Sequence, residues 1–344
     1  MGTKLKDIII RKEVSFEDLQ HKKVVVDSFN ILYQFLTSIR QRDGSFLTDS
    51  QGRITSHLTG LFSRTIRMIE CDIKPAFVFD GKPPALKMRE RERRAAIKEE
   101  AELKYKEALA AENVEDMKKY AVRTTRLTKE MIEEAKELIE AMGFPIIQAP
   151  SEGEAQAAHI VKNGDAYAEV SQDYDCLMFG VKRVIQNLTV SEKRKVANKL
   201  AYETVKPQII DLEENLKNLG ITNDQLIVVG MLVGTDYNIG GIKGIGPKNA
   251  LKLVKQHGSD FDALFKQVEW EKSFDFSWKE VFDLIKHMPV TDDYKLVWKN
   301  PNKEKIIEIL CDKHEFNRAR IESALEKLEA EKKKLSQRGL DGWF

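Results

Sequence analysis

The chain predicts an α/β fold, a mainly parallel twisted sheet with helices on both faces, and three observations carry that prediction. Short, apolar, β-branched runs alternate with amphipathic stretches at helical spacing. They follow one another as β-α-β-α-β-α-β, the pattern of parallel strands joined by crossover helices. Four of the runs lead into carboxylates. Val24-Val25-Val26 leads into Asp27, and Ala76-Phe77-Val78-Phe79 into Asp80. Pro145-Ile146-Ile147 leads through Pro150 into Glu152 and Glu154, and Ala168-Glu169-Val170 into Asp173 and Asp175. In an open parallel sheet, function gathers just beyond the carboxyl ends of the strands.

Taken in order, residues 22–27 read as a buried strand, and Ser28 as the cap of a helix running to about Arg40. Asp43-Gly44 and Ser50-Gln51-Gly52 read as turns. Leu58, Leu61, Phe62, Ile66 and Ile69 mark one face of a helix over 55–70, and Lys74–Asp80 is the next strand. Gly81-Lys82-Pro83-Pro84 then breaks the chain. From Ala85 to about Tyr120 the sequence is Glu/Lys/Arg/Ala-rich, with helix propensity but little to bury. Such a helix bridges solvent or waits for a partner. Thr128–Met142 is an amphipathic helix closed by Gly143. A third strand follows, then Ser151 as the cap of a helix carrying Ala155, Ala157, Ala158 and Ile160. Ala168–Val170 is the fourth strand and Val184–Leu188 the fifth. Asn223 caps a helix that Gly234 ends, with Asp236 just after. Gly240–Lys248 forms glycine-tight turns that feed a helix with Pro247 in its first turn. From there to about Lys334 the sequence looks helical and charged.

Composition narrows the classes. Hydrophobic residues make up 42% and charged residues 32%, as expected of a soluble globular protein. No apolar run approaches the roughly 20 residues of a membrane span, and no signal-peptide pattern opens the chain. Cys71, Cys176 and Cys311 are too far apart for a C-x-x-C zinc site and suit a reducing compartment. A net charge of +1 excludes a uniformly basic nucleic-acid binder. A local one remains open, because residues 82–106 hold nine Lys/Arg against five Glu.

Six acids meeting at one sheet end would repel one another unless cations bound them. Asp236 makes a seventh candidate, since a carboxylate just past a helix C-terminus is disfavoured until a cation offsets the dipole. All these donors are hard oxygens, which suit magnesium or manganese. The pairs Glu152/Glu154 and Asp173/Asp175 are spaced to straddle two ions, the arrangement that activates water against a phosphodiester. An acid after a strand is by itself more often a cap or an exposed turn. Two tandem pairs plus three singles, each at the functional end of an element, reverse that reading.

The strings VVVDSFNILYQFL, FVFDGKPPALK, APSEGEAQAA, VSQDYDCLMFG and LVGTDYNIGGIKGIGPKNAL resemble the flap endonuclease family, the structure-specific 5′ nucleases related to XPG. The resemblance covers nearly the whole chain in the right order. It implies a PIN-like 5′-nuclease core with a helical arch and a C-terminal helix–two-turn–helix region. Residues 1–330 would form a single nuclease domain: 1–81 and 128–220 the core, 82–127 the arch, 221–330 the helix–two-turn–helix and C-terminal helices. Residues 331–344 would be a flexible tail.

By the same resemblance, Asp27, Asp80, Glu152, Glu154, Asp173, Asp175 and Asp236 are the metal-site acids. They would hold two magnesium ions, with manganese able to substitute. Lys87 and Arg94 fall on the basic pair that positions the scissile phosphate. Being seven apart, they share one face of a helix. Tyr33 falls on an aromatic that stacks on a base, an interaction worth about 1–3 kcal/mol and indifferent to sequence. Lys243, Gly244, Gly246 and Lys248 lie in the turn that grips duplex backbone beside a potassium ion. Free N–H groups at a helix start favour phosphate there. Gln337, Leu340, Trp343 and Phe344 fit the sliding-clamp (PCNA) peptide pattern. One helical turn would bring the last three to one side, where two aromatics at a polar chain end call for a partner pocket.

The expected activity is cleavage of 5′-flap DNA, with 5′-3′ exonuclease action, in Okazaki-fragment maturation and long-patch base excision repair. A monomer without membrane association is expected. No basic extension follows the clamp peptide, which points to the cytoplasm or nucleoid of an archaeon rather than a nucleus. The rivals explain less. A bubble-cutting enzyme of the XPG type carries a far longer insertion than 82–127. A non-catalytic junction adaptor does not need seven ligand-competent acids. A small-molecule magnesium phosphatase leaves the clamp peptide and the Gly-Ile-Gly-Pro-Lys turn unexplained.

Overall fold

A computed structural model describes residues 3–328, apart from 42, 112, 114, 117, 118, 121–123, 191, 192 and 196–201. The clamp-peptide residues Gln337, Leu340, Trp343 and Phe344 therefore lie outside the described residues. The strands are β1 (Lys12–Glu13), β2 (Lys23–Asp27), β3 (Lys74–Phe79), β4 (Ile146–Gln148), β5 (Ala168–Val170), β6 (Arg183–Gln186), β7 (Lys193–Lys195), β8 (Tyr202–Thr204) and β9 (Gln208–Asp211). Seven of them form one sheet in the order β1-β9-β6-β5-β2-β3-β4, and β7 and β8 pair separately.

From β4 across to β6 every pairing is parallel, as expected from the alternating pattern. β9 and β1 add an antiparallel edge that the alternating pattern does not mark. Topology explains the gathering of acids. The chain runs outward from β2 through β3 to β4, then returns to the other side of β2 as β5 and continues to β6. The strand order reverses at β2, and a crevice opens there at the carboxyl ends.

Alternation along each strand feeds two cores. Val24, Val26, Phe77 and Phe79 face α1 (Ser28–Ser38), α2 (Ser56–Glu70) and helix Lys129–Ala141, through Leu32, Phe35, Leu58, Leu61 and Leu138. Val25, Ala76 and Val78 face helices Gly153–Asn163 and Asn223–Val233, through Ala157, Ile160, Val228 and Leu232. Strands covered on both sides read as unbroken apolar runs. Each fully buried large side chain contributes about 1.5–3 kcal/mol. The long charged segment is α3 (Ala85–Ala110), which buries only Glu90, Ala101 and Ala108 and ends nearly three turns before the expected Tyr120.

Three expected caps are displaced. Asp27 itself caps α1 by accepting from the Asn30 amide at 3.1 Å, so Ser28 lies inside the helix. Thr222, in a reciprocal capping box with Gln225, does the work expected of Asn223. At Gly153–Asn163 the Ser151 hydroxyl turns away to the Lys82 carbonyl. The free Gly153 amide donates instead to Asp80 Oδ1 at 2.7 Å, so a side chain from the neighbouring strand end caps this helix.

Residues 289–302, expected to be helical, form an extended strap. Pro289 and Pro301 oppose a helix there. Distant partners meet the strap's polar groups instead. Trp298 Nε1 donates to the Pro75 carbonyl at 2.7 Å and the Lys299 amide to the Gly143 carbonyl at 2.8 Å. The Asn302 amide donates to the Ala141 carbonyl at 2.7 Å. Gly143 is needed at this crossing: its φ is +84°, and a Cβ would sit 2.3 Å from the Lys299 carbonyl oxygen. Among the described residues no helix is long and apolar enough to cross a membrane.

Candidate active site

Each predicted acid sits where the topology delivers it. Asp27 ends β2, and Asp80 follows β3. Glu152 and Glu154 open helix Gly153–Asn163, while Asp173 and Asp175 follow β5. Asp236 comes from the turn after helix Asn223–Val233, where Gly234 takes φ +109°. That turn is fixed from below. Buried Asn238 donates to the Met231 carbonyl and accepts from the Thr235 hydroxyl, each at 2.7 Å.

The acids form one electrostatic group. Burial, then Asp80 and Asp173, push Asp27 up to about 8. Burial raises Asp80, with Asp236 adding to it, although Lys87 pulls the other way. Burial, then Asp175, Asp27 and Asp173, raise Glu154 well above the carboxylate range. Burial raises Asp175 to about 6, against hydrogen bonding from Thr3 and with Asp236 adding to it. Glu152 is raised by burial, with Lys87 opposing and Asp80 assisting. Asp27, Asp80, Glu152, Glu154 and Asp175 thus each feel at least one other acid, and crowded like charges in a desolvated hollow favour the neutral form of these five.

Protein groups already answer part of that charge. Lys87 Nζ donates to Glu152 Oε2 and lies 3.5 Å from Asp236 Oδ2. Burial opposes the Lys87 ammonium, but Glu152 and Asp236 hold its pKa above the usual value. Arg94 reaches Asp236 Oδ1 through Nη2, and Glu90 through Nε. The two cations therefore project together from α3 onto the acids, as their spacing predicts. Among the described residues no three acid, histidine or cysteine side chains already close around a single point as a metal cage.

Three supporting residues escaped the sequence reading. Asn30 donates through Nδ2 to Asp173 Oδ2 at 2.9 Å, and its Oδ1 accepts from the Gln172 amide at 3.2 Å. It therefore ties the end of β5 to α1. The Thr3 amide donates to Asp175 Oδ1 at 2.6 Å. Glu169, fully buried on β5, adds an eighth acid beside Asp27 and Glu154. An Asn three residues past a strand-ending Asp was a readable signal for the first. Nothing local marked the other two.

The remaining candidates lie around this hollow or apart from it. Tyr33 is half-buried on α1, with the Lys98 ammonium of α3 5.1 Å from its ring centre. Lys243, Gly244, Gly246 and Lys248 are all exposed. Gly244 takes φ +84° with open space beyond it, and Gly246 caps the start of helix Pro247–His257 with open space where a side chain would stand.

Fold and acid-lined sheet end together are those of the XPG-type nucleases. The XPG N-terminal domain matches residues 2–101, and the XPG I-region matches residues 143–236. Flap endonuclease 1 of Pyrococcus abyssi is 51% identical over 344 residues, covering 100% of this chain and 98% of its own length. That of Pyrococcus horikoshii is 50% identical with the same coverage. The solved flap endonuclease-1 of Methanococcus jannaschii superposes with a TM-score of 0.75 at 44% identity, over 96% of this chain and 98% of its own. The catalytic core of Rad2, solved with a DNA substrate, shares the fold at a TM-score of 0.70 and 24% identity, over 95% of this chain and 100% of its own. The chain belongs to the flap endonuclease family, in its archaeal branch, and is a nuclease.

Proposed function

We propose that this chain hydrolyses a phosphodiester near the single-strand/double-strand junction of 5′-flap DNA, with 5′-3′ exonuclease action, using two divalent ions. One observation carries the reading: seven carboxylates from four strand ends and one helix end act on one another inside a single hollow. All the donors are oxygen, and their crowding is what two dications relieve. Magnesium therefore fits, and manganese can substitute. When bound, the ions supply Lewis-acid activation of a water and neutralise charge at the leaving oxygen.

The chain's own side chains do the rest. Asp27, Asp80, Glu152, Glu154, Asp173, Asp175 and Asp236 hold the ions. Lys87 and Arg94, paired in the free protein with Glu152 and Asp236, stand over the acids where they would contact the scissile phosphate. Tyr33 stacks on a base near the cut. Lys243 and Lys248, with the exposed Gly244 and Gly246, hold duplex phosphates, and a potassium ion bound at this turn would add positive charge there. The tail motif from Gln337 through Leu340 to Trp343 and Phe344 recruits the sliding clamp. The protein then works as a monomer in the cytoplasm or nucleoid, finishing Okazaki fragments and long-patch repair.

A bubble-cutting relative of the XPG type is disfavoured by the short connection 82–127. A labelled 5′ flap, a plain duplex and a bubble, each with and without magnesium, test the proposal. The flap should be cut near the junction in magnesium alone. Preferred cutting of the bubble, or undiminished cutting in chelator, would overturn it.

A further inference from the structure

Helix α3 poses a positioning problem. It buries almost nothing, so apolar packing does not hold it over the acids. Polar ties set its pose, and one of them reaches away from the acids. Arg89 Nη1 and Nη2 donate to Asp275 Oδ1 and Oδ2 at 2.6 and 2.9 Å, a two-pronged pair spanning 186 residues. The same guanidinium lies 5.7 Å from the ring centre of Phe276. At 100° per residue, Arg89 points about 160° away from Lys87 and about 140° from Arg94. The foot of α3 is thus held between the acids on one side and the 274–277 loop on the other.

That loop is a firm anchor. Trp270, itself buried, donates through Nε1 to the Phe276 carbonyl at 2.8 Å. Phe274 and Phe276 pack at 5.3 Å, Trp270 and Phe274 at 4.4 Å, and Phe265 stacks on Trp278 at 4.6 Å. Ala250, Val254, Leu264 and Trp270 share one core with them, so the anchor belongs to the lobe that carries the Gly244–Lys248 turn.

We propose that Arg89 and Asp275 are a positioning pair for cleavage: they tie the foot of the arch helix to the lobe bearing the glycine-rich turn, and so deliver Lys87 and Arg94 over the acids. This rests on the phosphate role proposed above for Lys87 and Arg94. Neither member touches the reacting atoms. Both side chains are more than half exposed, so the tie is modest and weakens with salt. A planar two-pronged geometry and an aromatic face keep it above an ordinary surface pair.

The test is single-turnover cleavage of a labelled 5′-flap duplex in magnesium by the full chain and its variants. Flap binding is measured separately with calcium in place of magnesium. Arg89→Ala and Asp275→Ala should each slow cleavage about fivefold to tenfold. Flap affinity should change less than twofold, and the melting temperature should hold. The exchanged double variant Arg89→Asp/Asp275→Arg should recover most of the rate, which a lost DNA contact or a general folding defect would not allow. Adding Arg89→Ala to the double variant Lys87→Ala/Arg94→Ala should slow it little further, because Arg89 acts through that pair. A slowed Lys87→Ala beside an unslowed Arg89→Ala, or an exchanged variant no faster than the singles, overturns the pair alone. Lys87→Ala and Arg94→Ala enzymes that both cut at the wild-type rate overturn the phosphate roles and the pair with them.

Discussion

Replacing Glu169 with leucine should stabilise the metal-free protein, and by more at pH 8 than at pH 5. Glu169 lies in register between Val25 of β2 and Val184 of β6, in the middle of the central sheet. It is fully buried, and neither carboxylate oxygen finds a hydrogen-bond partner among the described residues. An orphaned polar group of this kind costs about 1–3 kcal/mol, which a leucine of similar size removes. The pH dependence has a definite sign. Burial first, and Asp27 second, raise the Glu169 carboxyl well above its ordinary range. A raised acid contributes its full stability below the unfolded-state pKa and loses it as pH climbs toward the folded value. The advantage of leucine should therefore widen by up to about 1.4 kcal/mol per pH unit above the ordinary carboxylate range. Urea unfolding of the chelator-treated protein at pH 5 and pH 8 measures both effects. Glu169→Gln should flatten the pH dependence while recovering less stability, since it stays polar. A leucine variant less stable than wild type at both pH values, or a gap independent of pH, would refute the reasoning.

Three further expectations can be checked alongside. Arg94→Ala should slow the chemical step more than it weakens flap binding; equal single-turnover rates would count against a phosphate role. Removing Gln337–Phe344 should leave intrinsic cutting intact and eliminate stimulation by the sliding clamp, so an unchanged response to the clamp would reject the peptide's role. Glu134 works against burial, yet His314 and His57 hold it down to about 2, through Nε2 contacts at 3.2 and 3.3 Å. Its stabilisation is present above the ordinary carboxylate range and fades as pH falls toward 2. Because Glu134 is only half-buried and solvent screens it, Glu134→Gln should cost about 1 kcal/mol at pH 7 and progressively less in acid. Identical unfolding curves at pH 7 would argue against that network.

The parallel heart of the fold was legible because its strands are apolar on both faces. Val24–Val26 and Ala76–Phe79 can be little else, and each announces its end with an acid. The convergence of those acids follows from the strand-end rule. What stayed hidden depends on partners far away in sequence. β1 is two polar residues recruited by β9. The strap at 289–302 is extended because Pro75, Ala141 and Gly143 meet its polar groups, and no local period reveals that. The displaced caps have the same origin: Asp80 reaches across to the Gly153 amide, leaving Ser151 free to turn elsewhere. Within the site, the acids were readable from type and position, whereas the two arch cations came from the resemblance, their spacing giving only a shared helix face. Thr3, Glu169 and the Arg89–Asp275 tie were not, since each acts across a hundred residues or more.

Counting divalent ions bound per chain tests the central claim most directly. Manganese titration followed by electron paramagnetic resonance, on the flap-bound protein, should find two ions in the acid hollow of the wild type. Asp173→Ala should lose at least one of them, together with turnover, while still binding the flap. A wild type that binds no manganese there, or an Asp173→Ala enzyme that keeps both ions and cuts at the full rate, would contradict it.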